Sequence, residues 1–574
     1  MIVYRCKKCD MTTESSICPY CNQRTDVVSS IIYWCGKCNV PLFEETCHCC
    51  GQRGHRVGTD LRPVFPEERL LIEILLETPL KYKGSSVWSG GSGLYIIDGQ
   101  KVKIPITETK RLDVKRIRAQ LKQYQDQNTS TASEQYIKRF VQANKKRLDF
   151  LTTEAFQYIN EMIANYNATE RYVSFSGGKD STVVSSLVMR ALGTEEVLHI
   201  YGDTTLEFPE TTEYVSRFKK SHPKTPVLVS RNKDKDFFEL CDQLGPPSRV
   251  MRWCCTIFKT GAIQRKITAL FRGKTKILTF FGIRRSESNS RSKYERESDS
   301  PKIAIQKTVS PIIDWLDFDI WLYILASNID FNRAYRLGYT RVGCWCCPNN
   351  SLWSEFLSKI YMPDEYNRFR DQLVQFAARI GKPDPEVYVD DGFWKARQGG
   401  NGLEYAESTK LTFEPCALQE NTLNFDLQRP ITEELYELFK PFGLLNKEIG
   451  NARLGEIYIT DNNGKLLLKL QGKLGTNHLK ISILDRHTGH CNSIRAVEDK
   501  VKSQITKYQM CIGCLACESA CARGAINIRA DRTGLRSYRI NNEKCVRCGL
   551  CISHYDGGCY MKKVVRTKRS INGE

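Results

Sequence analysis

No run of eighteen apolar residues occurs in the 574-residue chain, which excludes a membrane-spanning helix. A charged-then-apolar opening is also missing, since Met1 is followed almost at once by Cys6 and Cys9, so a cytoplasmic protein without a membrane partner is expected. Acidic residues are in deficit: 65 stand against 85 Lys and Arg, a net charge of +20 that attracts polyanions. No stripe of base-stacking aromatics accompanies that charge, so RNA or DNA as a partner competes with a merely solvated basic surface. Disulfide-type spacing is lacking as well. The 25 cysteines fall largely in C-x2-C pairs, the spacing of metal ligands in a reducing compartment. What is present is length for several domains and 41% hydrophobic residues to bury their cores.

Residues 1–55 hold a repeat of period 29, in which Cys6, Cys9, Cys18 and Cys21 recur as Cys35, Cys38, Cys47 and Cys50. Two turns carrying two thiolates each can close a tetrahedron around Zn²⁺, and so short a unit has no other core to hold it folded. Tandem zinc ribbons with two structural Zn are expected, leaving Cys49 as a spare thiol. Residues 56–106 read as a small β-rich module, with Leu94-Tyr95-Ile96-Ile97 and Lys101-Val102-Lys103-Ile104 separated by the turn signal Asp98-Gly99. Residues 107–165 form a basic helical linker. Within it Lys110, Arg111, Lys115, Arg116, Arg118 and Lys122 either track a phosphate backbone or form a solvated helix face.

In residues 166–385 a short buried strand, Arg171 to Phe175, is followed by a Gly-rich turn and then a helix from Ser181. Gly177 and Gly178 let the backbone approach a ligand, the helix N-terminus presents unpaired N–H groups, and Lys179 adds a full charge. Phosphates are expected there, with hydroxyl donors from Ser176 and Ser181. The loop Ser174-Phe175-Ser176-Gly177-Gly178-Lys179-Asp180-Ser181 lacks Walker spacing and resembles the PP-loop of ATP pyrophosphatases and of the phosphoadenosine phosphosulfate (PAPS) reductase family. That resemblance implies an α/β core with a doubly wound parallel sheet of the adenine nucleotide alpha-hydrolase type, binding ATP or PAPS. It continues through Asp203-Thr204-Thr205-Leu206-Glu207-Phe208-Pro209, where Thr205 stands in place of the family's frequent Gly. A strand's carboxyl end is where Asp203 would hold Mg²⁺ against the phosphates of ATP.

Downstream, Gly282-Ile283-Arg284-Arg285-Ser286-Glu287-Ser288 with Arg291 is similar to the family's Gly-x-Arg-Arg-x-x-Ser-x-x-Arg signature. Guanidinium forks suit phosphate or sulfate oxygens, so Arg284, Arg285, Ser288 and Arg291 are expected at the nucleotide, against the alternative of surface ion pairing. Cys254-Cys255 and Cys344-x2-Cys347 resemble the cysteine arrangement by which iron–sulfur sulfonucleotide reductases hold a [4Fe–4S] cluster, with Zn²⁺ as the rival occupant and Cys346 an alternative ligand.

Residues 386–505 read as an α+β accessory domain, with a helix over Ile431 to Phe439 and several strands. Residues 506–574 resemble a bacterial two-cluster ferredoxin. The resemblance implies one [4Fe–4S] on Cys511, Cys514, Cys517 and Cys559 and a second on Cys545, Cys548, Cys551 and Cys521. Two departures stand out: Ala522 replaces the usual Pro, and seven residues separate Cys551 from Cys559 where three are usual.

The family supports two reactions. A PAPS or adenosine phosphosulfate reductase needs an attacking cysteine in a Glu-Cys-Gly-x-His segment, which is absent; Cys416 and Cys491 lack its Gly and His. The alternative is ATP cleavage between the α and β phosphates, adenylating an acceptor oxygen that sulfur displaces, with Lys179, Asp203, Arg284 and Arg285 as catalytic residues and an external electron donor. The acceptor in this redox-linked sulfur transfer could be nucleic acid. A non-catalytic nucleic-acid-binding redox protein is the third reading. Oligomeric state is not legible.

Overall fold

The computed structural model describes residues 2–6, 9, 11–13, 18–21, 26–128, 131–288, 291–300, 303, 305–397, 410–511, 513–530, 536–553 and 566–569. At its centre is a six-stranded sheet in the order Val227–Arg231, His199–Asp203, Arg171–Phe175, Ile277–Phe280, Gln306–Val309, Glu297–Asp299. The first five strands are parallel and the last is antiparallel. Parallel strands covered on both faces need continuous apolar runs, and Ile277–Phe280 is buried at all four positions.

Alternate residues of these strands serve opposite faces. Val173, Phe175, Leu278 and Phe280 pack with Val183, Val184, Leu187 and Val188 of the helix Lys179–Leu192 and with Trp321 of the helix Asp317–Ala326. Tyr172, Ile200 and Ile277 pack on the other face with Ile267 and Phe271, from and just after the helix Gly261–Leu270. The result is a doubly wound α/β domain. Burying one such side chain contributes about 1.5–3 kcal/mol, and truncating Leu278 to Ala would cost about 2–5 kcal/mol because the site cannot collapse.

From Arg171–Phe175 the chain winds outward through two further strands, then returns to the other side for Ile277–Phe280. This reversal opens a crevice at the carboxyl ends of those two central strands, where open α/β sheets bind ligands.

The N-terminal part is fused to this domain. A three-stranded sheet of Ile2–Cys6, Met11–Thr13 and Asp26–Ser30 precedes a second one of Ile32–Cys35, Val40–Leu42 and His55–Gly58. The second shares its core (Trp34, Val40, Leu42) with Trp88 and Ile96 of the next sheet and with Phe318 and Leu322 of the helix Asp317–Ala326. A buried ion pair seals the joint: Arg62 meets Glu68 through two 2.6 Å bonds, and Glu68 also accepts from the Tyr95 hydroxyl.

Beyond the core lies a seven-stranded sheet whose helix Ile494–Met510 leads into the cysteine-rich end. The helix expected over Ile431 to Phe439 is shorter, Glu433–Glu437. The end itself comprises the hairpin Ile526–Ala530 and Arg536–Ile540 with short helices Ala516–Ala520 and Leu550–Ser553. No helix among the described residues is long and apolar enough to cross a membrane.

Candidate functional site

The Gly-rich turn sits in that crevice. Gly177 has φ +70°, and a Cβ there would lie 3.0 Å from Thr211 Cγ2, so both conformation and space require glycine. Gly178 caps the helix Lys179–Leu192 without a side-chain bond, so the helix's first N–H groups face the turn. Ser181 Oγ accepts the Ser176 N–H at 3.2 Å and lies 3.1 Å from Ser176 Oγ, which joins the two ends of the turn. Ser174 lies on the strand just before. Gly282, after the strand Ile277–Phe280, touches the turn from the far side. A Cβ there would stand 2.6 Å from the Asp180 carbonyl carbon and 2.7 Å from the Ser181 nitrogen.

Two cations and two carboxylates meet at the helix N-terminus. Lys179 Nζ is 3.2 Å from both Asp180 Oδ2 and Asp317 Oδ1, and the Arg284 guanidinium reaches Asp180 Oδ1 at 2.5 Å and Asp317 Oδ1 at 2.9 Å. Burial opposes charge on Lys179, Asp180 and Arg284, but attraction within the cluster outweighs it. Lys179 is held above the usual lysine range by Asp180 and Asp317, and Asp180 is pulled down to about 2 by Arg284 and Lys179. Tyr335 adds its hydroxyl as acceptor for the Lys179 N–H at 3.0 Å. Asp60, from the N-terminal part, accepts the N–H groups of Asp317 and Phe318, both at 2.9 Å. Burial, reinforced by the Asp317 carboxylate, pushes Asp60 up to about 7. Asp317, Tyr335 and Asp60 carry no local motif and were not read from the sequence.

The other expected residues divide. Asp203 ends its strand, with Oδ2 bound by Arg231 at 2.8 and 2.5 Å and Oδ1 accepting the Thr205 N–H at 2.8 Å. Thr205 has φ +66°, which explains why glycine suits this position. Arg285 turns away from the Gly-rich turn to Asp314 and the Tyr294 carbonyl. Arg291 pairs with Glu287, and Ser288 Oγ accepts the Arg291 N–H at 3.3 Å. Burial and the nearby Arg341 press Arg291 below the usual arginine range. Arg341 makes no ion pair among the described residues. A cleft of about 770 Å³ opens beside this set, with Asp60, Ser286, Asp317 and Thr340 in its wall.

A cysteine loop is bonded to the segment after Asp203. The Trp345 N–H donates to the Leu206 carbonyl at 3.0 Å, and Thr204 Oγ1 lies 3.5 Å from Cys344 Sγ. Cys254 is pushed well up by its hydrogen bond to Cys255, by burial and by Cys344 and Cys346. Burial, with Glu207, pushes Cys344 up to about 12, and burial with Cys255 raises Cys347. Thiols that oppose one another's ionisation are a set that a cationic metal centre would stabilise as thiolates. Cys416 and Cys491 belong instead to the C-terminal part: Cys416 follows the strand Lys410–Pro415, and Cys491 is buried in that domain's core.

Two further quartets, Cys6/Cys9/Cys18/Cys21 and Cys35/Cys38/Cys47/Cys50, hold their sulfurs within 4.8 Å of one another. The pairs Cys35–Cys50 at 3.4 Å and Cys38–Cys47 at 3.7 Å approach the edge of about 3.8 Å set by a Zn–S bond of about 2.3 Å. Cys49 points instead toward the Arg139 carbonyl. At the other end, Cys521, Cys545, Cys548 and Cys551 line one cavity of about 180 Å³ walled by Ala525, Ile526 and Ile540. Cys511, Cys514 and Cys517 lie on the adjoining loop and helix, while Cys559 falls outside the described residues.

A doubly wound α/β domain with a Gly-rich turn at a helix N-terminus, joined to cysteine-rich modules, defines the class of protein. Residues 170–350 match the phosphoadenosine phosphosulfate reductase domain family and residues 510–554 the 4Fe-4S dicluster domain family. The chain therefore carries a PAPS reductase domain joined to an iron–sulfur dicluster domain. It is 32% identical over 266 residues to an uncharacterized protein of Methanocaldococcus jannaschii, covering 46% of this chain and 61% of that one. A second uncharacterized protein of that organism is 26% identical over 310 residues, covering 53% and 62%. The chain thus spans about three fifths of these relatives' length. An adenosine 5'-phosphosulfate reductase of Anoxybacillus flavithermus is 28% identical over 178 residues, covering 30% of this chain and 70% of that enzyme. Among solved structures, a PAPS reductase from Candida auris in a phosphate complex aligns with a TM-score of 0.28 at 15% identity, over 36% of this chain and 97% of that one.

Proposed function

We propose that the protein is an iron–sulfur enzyme of sulfur metabolism that binds ATP at the Gly-rich turn and cleaves it between the α and β phosphates. An acceptor oxygen attacks the α-phosphorus, the bond to the bridging oxygen breaks, and pyrophosphate leaves with the bonding pair. A sulfur nucleophile then displaces AMP. The carrying observation is buried Lys179 and Arg284 bound to the half-buried Asp180 and Asp317 at one helix N-terminus. The cations offset charge developing on the leaving pyrophosphate. The carboxylates are hard oxygen donors of the kind Mg²⁺ takes when it accompanies a triphosphate, and Asp203 is a further donor if Arg231 yields.

The residues fit metal groups beyond Mg²⁺. The two N-terminal quartets suit Zn²⁺, and the ferredoxin end suits two [4Fe–4S] clusters, the first completed by Cys559. Cys254, Cys255, Cys344 and Cys347 suit a third. Such clusters supply one-electron transfer. Helix Ala516–Ala520 lies against helix Gly261–Leu270, and the Gln264 side chain donates to the Cys521 carbonyl at 2.9 Å. Cys514 packs in the same apolar cluster as Cys254, Cys344 and Cys346, a short path for electrons from an external donor.

A second reading, a sulfonucleotide reductase releasing sulfite, is favoured by the bond between the Cys344 loop and the segment after Asp203 and by the similarity to adenosine phosphosulfate reductases. Calorimetry on anaerobically isolated protein separates the two. Tighter binding of ATP with Mg²⁺ than of PAPS supports ATP chemistry; tight PAPS binding indifferent to Mg²⁺ supports the reductase.

A further inference from the structure

The basic run at 110–122 has an opposite wall. Lys110, Arg111, Lys115 and Arg118 line one side of a groove of about 740 Å³, and Lys359 and Arg370 line the other. Arg370 is paired with Asp390 at 2.7 Å and Lys110 with Asp391 at 3.6 Å. The remaining four, Arg111, Lys115, Arg118 and Lys359, make no ion pair among the described residues. Lys359 is half-buried, and burial together with Arg370 and Lys110 presses its ammonium below the usual lysine range against the pull of Asp390 and Glu355. An incoming anion stabilises a half-buried ammonium held in this way.

The groove leads somewhere. It shares Lys110, Lys359, Tyr366 and Arg370 with a pocket that ends on Cys346 and Cys347. Leu352 of that pocket also lines the cleft beside Asp317 and Thr340. The groove, the cysteine pocket and the cleft beside Asp317 are thus linked through shared lining residues, and Asp317 in turn binds Lys179 of the Gly-rich turn. Lys115, Arg118 and Lys122 sit at i, i+3 and i+7 of the helix Val114–Tyr124, on one face and spanning about 10 Å, which matches about three steps of a nucleic-acid strand.

We propose that this groove seats the phosphodiester backbone of a nucleic-acid acceptor and that the modified nucleotide reaches the turn along the same surface. The acceptor's fate rests on the adenylation reading; its binding does not. The test uses the full chain and fluorescence anisotropy with a labelled single-stranded RNA of about 20 nucleotides and DNA of the same sequence, from about 50 to 200 mM salt. The triple variant Arg111→Gln, Lys115→Gln, Arg118→Gln should weaken binding at least tenfold and lower the log–log salt slope by about two to three, the loss of three phosphate contacts. Replacing the exposed Lys219, Lys220 and Lys224 with Gln should change binding less than twofold. An RNA or DNA preference identifies the acceptor. No binding by the wild type at about 50 mM salt, or equal weakening by both triples, overturns the proposal. ATP binding by the groove variant keeps the outcomes apart: oligonucleotide binding lost while ATP binding persists supports the groove, and oligonucleotide binding intact in a wild-type protein that never cleaves ATP overturns only the adenylation reading.

Discussion

Asp60 and Asp317, 257 residues apart in sequence, are joined by a 2.9 Å hydrogen bond from the Asp317 N–H to the Asp60 carboxylate. The helix Asp317–Ala326 has no hydroxyl or amide side chain at its N-cap, Leu316, so a residue of the N-terminal part satisfies its first two N–H groups. The same Asp317 binds Lys179 and Arg284. Docking of the N-terminal part and the charge cluster at the Gly-rich turn are therefore coupled.

That coupling gives a pH signature. Asp60 is raised from 3.8 to about 7, so its protonated form favours the native state, and this contribution is lost as pH rises through about 7. Asp60→Asn removes the titration. The melting temperature of the variant relative to wild type should therefore shift in the variant's favour between about pH 5 and pH 8.5. Thermal unfolding at both pH values measures it, and a pH-independent difference would remove Asp60 as the titrating group.

Lys179→Ala should leave nucleotide binding partly intact and cut ATP cleavage by about a hundredfold or more, the scale of losing one preorganised charge. Single-turnover rates with saturating ATP read this directly. Equal losses in binding and rate would make Lys179 a ground-state binding residue only.

Gly282→Ala forces a methyl group against the backbone of Asp180 and Ser181. The strand end cannot yield without moving Arg284, so the variant should lose nucleotide affinity more than stability. Calorimetry beside thermal unfolding checks the split; Gly84→Ala, at a glycine with open space around it and no positive φ, controls for an added methyl group alone.

Metal content tests the cysteine sets. Anaerobically isolated protein should carry two Zn, about eight Fe in the ferredoxin end and about four at the central cysteines. Cys344→Ser with Cys347→Ser should remove about four Fe and leave Zn unchanged. Unchanged iron would take the central cluster out of the account.

The legible parts of the site are those that lie close together in sequence. Strand, Gly-rich turn and helix are contiguous from Arg171 to Leu192, so this unit could be read from residue order alone. The cavity shared by Cys521 with Cys545, Cys548 and Cys551 groups the cysteines that the resemblance to a two-cluster ferredoxin implies. What escaped reading is set by tertiary packing. Asp317 and Tyr335 reach the turn, and Asp60 reaches Asp317, from three distant segments, and no local pattern marks them. Arg284 and Arg285 look equivalent in sequence, yet Arg284 is extended while Arg285 opens a 3-10 turn, and only Arg284 reaches Asp180. The basic run was visible, but its opposite wall, Lys359 and Arg370, lies about 240 residues downstream.

The most direct measurement of the central claim is pyrophosphate and sulfite in one anaerobic assay, with reduced protein, Mg²⁺, mixed RNA and DNA as acceptor, and ATP, adenosine phosphosulfate or PAPS as nucleotide. The account predicts pyrophosphate from ATP, dependent on Lys179 and Mg²⁺, and no sulfite from either sulfonucleotide. Sulfite without pyrophosphate would contradict it and establish the reductase.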